Sequence, residues 1–231
     1  MEHEFISCGP RVGCLNGGFG EECLNCCAFY KARAIAGKKG QHTTYRAYRK
    51  AVDNDNWSGK LGYIPNWADK LGHTGFEGVS YKFLLSYMSD CGLWPKTDIL
   101  QVMKEIYLRP RHEFYLLTKI PSELGKSMEY ARECMLRIGI DITKFNNLHI
   151  ATSVGLKKSL FRIDQLNKSF KEYRKELFAK PLLEDLGDVN LGAIEAIRIS
   201  AEKGQNKRDH KNIWSSNLIV QAKEQDVIVL P

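Results

Sequence analysis

From residue 81 to the C-terminal end of the sequence, short apolar runs alternate with segments of helical periodicity. The apolar runs have the length of strands, and the intervening segments place apolar residues at steps of three and four, as amphipathic helices do. Strands that alternate with helices form parallel sheets, because each helix covers a sheet face and returns the chain to the same edge. The predicted strands are 4–7, 81–87, 113–117, 148–152, 176–179, 193–199 and 226–230, and the predicted helices are 28–36, 99–107, 124–138, 157–175 and 214–222.

This pattern predicts an α/β fold, a partial (β/α)6-type TIM barrel with an extra C-terminal strand. A doubly wound sheet is the second interpretation. We expect one domain, 1–231, with an irregular insertion at about 38–80, a candidate lid rich in Gly, Asn, Asp, Tyr and Trp. We also expect Thr97 and Asp98 to cap the helix that follows them.

The composition favours a globular protein with a substantial core, because 43% of the residues are hydrophobic. No apolar run has the length of a membrane span. The polar start of the sequence, Met1 to Glu4, does not resemble a signal peptide, so we expect a cytoplasmic protein with reduced thiols or metal-bound cysteines. The formal charge of +7 suits a polyanionic partner or an ordinary basic enzyme equally well. Lysines and arginines crowd residues 157–175 and 203–211, which predicts either a solvated face or a phosphate-binding surface.

Cys14, Cys23, Cys26 and Cys27 lie in one loop between the first predicted strand and the first predicted helix. Clustered thiolates bind zinc or an iron–sulfur cluster. Three ligands would leave one iron of a cubane open, whereas a zinc site would take a fourth ligand such as Cys8, Cys27 or a histidine. The spacing alone does not choose between the metals. The third ligand is Cys26 or Cys27, and the two-residue spacing from Cys23 favours Cys26.

Polar side chains follow most of the predicted strands. Ligands of parallel α/β proteins bind at the carboxyl ends of the strands, so these positions predict a site for a polar ligand. Each residue taken alone fits a turn or a helix cap equally well. The candidate residues are Ser89, Asp90, Lys119, Thr152, Ser153, Glu184 and Glu202.

Seven short motifs, in order along nearly the whole chain, resemble the phage-associated three-Cys-motif proteins. Those proteins are similar to radical S-adenosylmethionine (SAM) enzymes near spore photoproduct lyase. The chain differs from the usual radical SAM pattern in its Cys-x8-Cys-x2-Cys spacing and in having Cys27 where the family has an aromatic residue. The motifs are Gly13-Cys14, Cys23-Leu24-Asn25-Cys26, Ser86-Tyr87-Met88-Ser89-Asp90, Leu116-Leu117-Thr118-Lys119-Ile120-Pro121, Thr152-Ser153-Val154-Gly155, Pro181-Leu182-Leu183-Glu184 and Glu202-Lys203-Gly204.

The resemblance implies a partial barrel with a [4Fe–4S] cluster on Cys14, Cys23 and Cys26 at its mouth. S-adenosyl-L-methionine would chelate the open iron, and an electron from a flavodoxin or ferredoxin would release a 5′-deoxyadenosyl radical that abstracts hydrogen from a substrate. The resemblance also implies that Ser89 and Asp90 would bind the amino group of SAM.

The other candidate residues have broader expected roles. Lys119 is expected to bind the SAM carboxylate or the substrate, and Thr152 and Ser153 the ribose or the carboxylate. Glu184 and Glu202 are expected to bind ribose hydroxyls or a substrate amine. The expected substrate is DNA or a nucleotide, such as a modified base. The alternative is a zinc-stabilised nucleic-acid-binding module without catalysis.

Overall fold

The computed structural model describes residues 5–15, 26–38, 43–53, 56–72, 79–202 and 207–231. The strands are Ile6–Ser7 (β1), Arg11–Val12 (β2), Val52–Asp53 (β3), Asn56–Trp57 (β4), Gly62–Tyr63 (β5), Lys82–Leu84 (β6), Glu113–Thr118 (β7), Leu148–Ser153 (β8), Arg174–Ala179 (β9), Ala196–Ile199 (β10) and Ile228–Leu230 (β11). The helices are Cys27–Ala36 (α1), Thr43–Ala51 (α2), Asp69–Gly72 (α3), Lys96–Tyr107 (α4), Pro121–Leu136 (α5), Phe161–Ser169 (α6) and Asn212–Glu224 (α7). None of these helices has the length and apolar content that a membrane crossing requires.

Seven parallel strands form the main sheet, in the order β1-β6-β7-β8-β9-β10-β11. The sheet curls into a half-barrel, which confirms the predicted partial TIM barrel. β11 is the predicted extra C-terminal strand. The strand order follows the chain without a reversal, so the doubly wound interpretation is wrong, because that fold requires a switch point in the order.

The two faces of the sheet carry separate apolar clusters. The convex face packs against α4, α5, α6 and α7 through alternate strand residues such as Phe114, Ile150 and Leu177. The concave face carries a smaller cluster of Leu84, Tyr115, Ala151 and Phe178, with Phe5 and Leu117 packed against it. This alternation is the two-residue period of a strand, and it decides which predicted site residues face the inside of the half-barrel.

The helices bury the stripes that their periodicity predicts. α4 buries Ile99, Val102, Met103 and Ile106, and α5 begins at Pro121, which is favourable in a first turn because its missing N–H would have no helical partner. The predicted cap at Thr97 and Asp98 is wrong, since α4 begins at Lys96. The carboxylate of Asp98 instead accepts hydrogen bonds from Nε and Nη2 of Arg11 at 2.5 and 3.2 Å.

The predicted basic helix 157–175 is wrong in length. α6 covers only Phe161–Ser169, and the chain then enters β9 at Arg174. Lys175 is buried, and its ammonium donates to the carbonyls of Phe170 and Tyr173, both at 3.1 Å. Burial lowers the pKa of Lys175. The predicted strands 81–87 and 193–199 are shortened to β6 and β10.

The segment 38–80 contains more regular structure than the sequence predicts. Within its described residues, α2 buries Ala47, Tyr48 and Ala51, and two antiparallel pairs form between β2 and β5 and between β3 and β4. Together with α1 these elements form a small layer beside β1 and β6, held by a cluster that includes Val12 and Met88.

Candidate functional site

The start of the cysteine loop is anchored beside the segment that follows β6. The backbone N–H of Gly13 donates to the carbonyl of Met88 at 3.0 Å. Gly13 has φ +119°, and a Cβ at this position would lie 2.4 Å from the carbonyl oxygen of Lys60. Only glycine fits so close an approach in this conformation. The residue before Cys14 is therefore fixed beside Met88, which follows β6 and directly precedes Ser89 and Asp90 in the chain.

The far end of the cysteine loop returns to the same layer. Cys26 directly precedes α1 as its N-cap residue, and Ala28 and Ala32 of α1 pack in the cluster that contains Val12 and Met88. A helix N-terminus stabilises a thiolate through its N–H groups and dipole. Both ends of the loop thus lie against one small core.

Cys23 lies outside the described residues, and so does the side chain of Cys27, which opens α1. Among the described side chains, no group of three or more metal-binding residues comes together. The predicted set of Cys14, Cys23 and Cys26 therefore stays a prediction.

Two other cysteines have the character of neutral thiols. Cys8 is buried, and desolvation raises its pKa to about 12, against the opposing charges of Lys70 and Arg109. Burial also raises the pKa of Cys91 well above its usual value. Burial therefore favours the neutral thiol form of both cysteines.

Asp90 connects two strand ends. Its carboxylate accepts hydrogen bonds from the N–H of Gly92 at 2.9 Å, the hydroxyl of Thr118 at 2.6 Å and the N–H of Lys119 at 2.7 Å. Burial raises the pKa of Asp90, and these three hydrogen bonds act in the opposite direction. A carboxylate has about four acceptor positions, so Asp90 retains capacity for one further donor.

Three other predicted residues, Ser89, Thr152 and Ser153, also lie at or after the carboxyl ends of strands. Ser89 Oγ accepts from Trp94 Nε1 at 3.0 Å. Thr152 is fully buried on the convex face, where its hydroxyl donates to the carbonyl of Thr118 at 2.7 Å. Ser153 pairs in register with Phe178 and thus belongs to the concave face.

Glu184 and Glu202 tie loops together. Glu184 Oε1 accepts from the N–H of Lys157 at 2.5 Å, joining the loops after β8 and β9. Glu202 is buried and accepts from the backbone N–H of Arg208 and from its guanidinium, at 2.6 to 3.0 Å. The structure thus joins Asp90 to Lys119 across the ends of β6 and β7, with Ser89 beside Asp90 in the chain. Gly13, the neighbour of Cys14, bonds to Met88 in the same segment. Thr152, Glu184 and Glu202 have partners within the chain.

The concave face also carries a buried ionic network that the sequence interpretation missed. The two carboxylate oxygens of Glu176 contact His149 Nδ1 and Arg198 Nε, each at 3.0 Å. The ring of His149 stacks on Tyr115 with 4.4 Å between centroids, and the Arg198 guanidinium lies 4.9 Å from the ring centre of Phe5. The available signal was the presence of charged residues at the inward positions of otherwise apolar strands. Burial lowers the pKa of Arg198 to about 10, so the guanidinium remains charged at neutral pH.

One family model matches residues 3–230, nearly the whole chain. The chain belongs to the DUF5131 family. The description of that family is "protein of unknown function". Membership therefore shows which proteins this chain is related to, but it does not assign a reaction. No curated protein and no solved structure shows a significant match. The α/β half-barrel is compatible with an enzyme, and the assignment of a reaction depends on the site itself.

Proposed function

We propose that this DUF5131 protein is a radical SAM enzyme whose [4Fe–4S] cluster is bound by Cys14, Cys23 and Cys26. The observation that carries the proposal is the Gly13–Met88 hydrogen bond. This bond fixes the residue before the first cysteine to the segment that leads from β6 into Ser89 and Asp90. Ligands of parallel half-barrels bind at the carboxyl ends of the strands, which supports a cluster there.

Two of the proposed ligands have surroundings that support this assignment. Cys14 and Cys26 are partly exposed, and Cys26 precedes a ten-residue helix, which favours its thiolate form. Thiolate sulfur is the ligand that iron–sulfur clusters require. When bound, such a cluster supplies the electron that cleaves SAM reductively, and we propose a flavodoxin or ferredoxin as the donor.

For SAM we propose contacts with Asp90, Lys119 and Ser153. Asp90 has capacity for an ammonium donor, Lys119 directly follows β7, and Ser153 lies on the concave face at the end of β8. We propose that Ser89, Thr152, Glu184 and Glu202 contribute mainly by holding the surrounding loops, since their side chains bond within the protein.

The substrate class we propose is DNA or a nucleotide. A polyanionic substrate suits the net charge of +7. Exposed cations at Lys157, Lys158 and Lys168 add to this charge, whereas Arg162 is buried and donates to the carbonyl of Ser153 at 2.9 Å. Binding of DNA through these lysines would weaken steeply with added salt.

The test of the ligand set is anaerobic reconstitution of wild-type protein and single cysteine variants. We expect wild type and Cys134→Ala to be brown and to contain iron and sulfide, because Cys134 lies on α5 and is not among the proposed ligands. Cys14→Ala, Cys23→Ala and Cys26→Ala should lose most of the iron, and Cys27→Ala should keep it. A colourless wild-type protein with one bound zinc would contradict the proposal and favour the zinc-stabilised module.

A further inference from the structure

The small layer that α1 and α2 form beside β1 and β6 carries most of the positive charge of the chain. Residues 26–72 contain nine lysines and arginines but only three aspartates, so their formal charge is +6, whereas the whole chain has +7. All the other residues together therefore contribute only +1. Positive charge concentrated on one part of a protein is typical of a surface that binds a polyanion.

The exposed face of α2 is cationic. Arg46, Arg49 and Lys50 are exposed, and their spacings of three and four place them on one side of the helix. The opposite side, which includes Ala47 and Ala51, is buried in the core of the layer. Because this apolar stripe packs inside the protein, α2 offers its charges to phosphates but has no apolar face that would enter a membrane.

α1 adds an aromatic ring to the same layer. Tyr30 is 52% exposed, and the exposed Arg33 is its neighbour at a spacing of three. The guanidinium of Arg49 donates to the carbonyl of Lys38 at 3.3 Å, which joins the cationic face of α2 to the chain just beyond the end of α1. Exposed aromatic rings beside cations stack the bases of single-stranded nucleic acids while the cations bind the phosphates.

The other helices of the described chain do not have this one-sided charge. Neither α1 nor α2 contains an acidic residue, whereas each helix from α3 to α7 contains at least one. On α5, Lys126 pairs with Glu123 at 2.7 Å, and on α6, Lys168 follows Asp164 by one turn. Mixed charges are typical of a solvated face. The lysines near α6 thus add to the overall attraction for a polyanion, but α1 and α2 favour close contact with its phosphates.

We propose that α1 and α2 form a binding surface for single-stranded nucleic acid. Arg46, Arg49 and Lys50 contact consecutive phosphates, and Tyr30 stacks on an unpaired base. A single strand fits better than a duplex, because only an unpaired base exposes a face to such a ring. The inference rests on the proposed function for its substrate class. It places the strand close to the proposed cluster, since the N–H of Tyr30 donates to the carbonyl of Cys26 at 3.2 Å, one turn earlier in α1.

The test is fluorescence anisotropy of the full-length, anaerobically reconstituted protein with labelled oligothymidylate of about 20 nucleotides, longer than a typical single-strand site. Oligouridylate, a DNA duplex of equal length and phosphatidylglycerol vesicles are compared with it. We expect saturable binding of the single strands and weaker binding of the duplex. Tighter binding of thymidylate assigns the strand as DNA, and tighter binding of uridylate assigns it as RNA.

A pair of charge variants locates the surface. The double variant Arg46→Gln with Lys50→Gln should bind about tenfold more weakly, and the slope of log affinity against log salt should fall by about 1.4, because two phosphate contacts are lost. The control is Lys104→Gln with Lys223→Gln, which removes two exposed cations from α4 and α7. This control should bind like wild type, because salt screens charges that are far from the strand.

Tyr30 variants separate stacking from charge. Tyr30→Ala should weaken binding of the single strand about fivefold without changing the salt slope, whereas Tyr30→Phe keeps the ring and should bind like wild type. The proposal is overturned if the strand does not bind, if the duplex or the vesicles bind more tightly, or if the two double variants bind alike. These measurements need neither SAM nor a reduced cluster. A protein that binds the strand but contains no iron would therefore support this surface and contradict only the iron–sulfur proposal.

Discussion

At the residue scale, Glu176 links the buried charged groups of the concave face. Its carboxylate lies between His149 and Arg198, and all three side chains are at most 4% exposed. Glu176→Gln preserves the shape but removes the charge that balances Arg198. Loss of one partner of a buried ion pair costs about 3–5 kcal/mol. We expect a decrease of that size in the free energy of unfolding, measured by urea denaturation.

Glu195→Gln is the matched control for this substitution. Glu195 pairs with Arg174 at 3.1 Å, and both side chains are nearly half exposed. Solvent screens such a pair, so its loss should cost less than about 1 kcal/mol. Equal effects of the two substitutions would show that the Glu176 network does not stabilise the half-barrel.

Gly13 tests whether the anchored loop start is needed for the proposed metal centre. In Gly13→Ala, the new Cβ would meet the carbonyl of Lys60 at 2.4 Å, so the chain before Cys14 must move. We expect a lower iron content after anaerobic reconstitution. Gly139→Ala is the control, because Gly139 also has positive φ, +78°, but has nothing within 4 Å of the added Cβ. Full iron loading of Gly13→Ala would refute the anchoring role.

At the element scale, the start of β7 depends on an uncharged His112. The backbone N–H of Tyr81 donates to His112 Nδ1 at 3.3 Å, which requires that nitrogen to be unprotonated. Desolvation, together with the charges of Arg109 and Arg111, lowers the pKa of His112. As the pH falls below the unfolded value of about 6.5, the unfolded chain takes up the proton first. Stability is therefore lost between this value and the lower folded pKa.

The measurement is the melting temperature of wild type and His112→Asn at about pH 7 and about pH 5.5. An asparagine can still accept a hydrogen bond but does not titrate there. On acidification, the melting temperature of wild type should fall further than that of the variant. An equal loss in the two proteins would assign the pH dependence to other groups.

Periodicity predicted the long elements well and failed where charged residues are buried. α5 was predictable because Leu124, Met128, Ala131 and Met135 form one stripe. The start of β9 was not, because Arg174 and Lys175 resemble the polar face of a helix. The buried Lys175 bonds to the carbonyls of Phe170 and Tyr173, which are contacts that the sequence pattern does not encode. α2 was missed because its buried stripe consists mainly of alanines, which give a weak apolar signal.

The same reasoning explains how far the candidate site was predictable. The rule that polar residues follow parallel strands located Ser89, Asp90 and Lys119 correctly at the carboxyl edge. Their partners could not be predicted, because Asp90 bonds to Thr118 and Lys119, which lie far away in sequence and become neighbours only when β6 and β7 pair. The face to which Thr152 points was predictable, because side chains alternate between the two faces along a strand. This alternation places the Thr152 hydroxyl on the convex face.

At the scale of the whole molecule, three features of the half-barrel lie on different parts of its sheet. The convex face holds the main core, the concave face holds the buried network of Glu176, and the carboxyl edge near β1 and β6 holds the ends of the cysteine loop. A sheet whose strands follow chain order leaves this edge open between β1 and β11.

The most direct test of the central claim is the formation of 5′-deoxyadenosine by the reconstituted, dithionite-reduced protein supplied with SAM. Chromatography with mass detection would quantify the product in wild type, Cys134→Ala and Cys23→Ala. We predict 5′-deoxyadenosine with wild type and with Cys134→Ala, and none with Cys23→Ala. Absence of the product from wild type that carries its full content of iron and sulfide would contradict the assignment of this protein as a radical SAM enzyme.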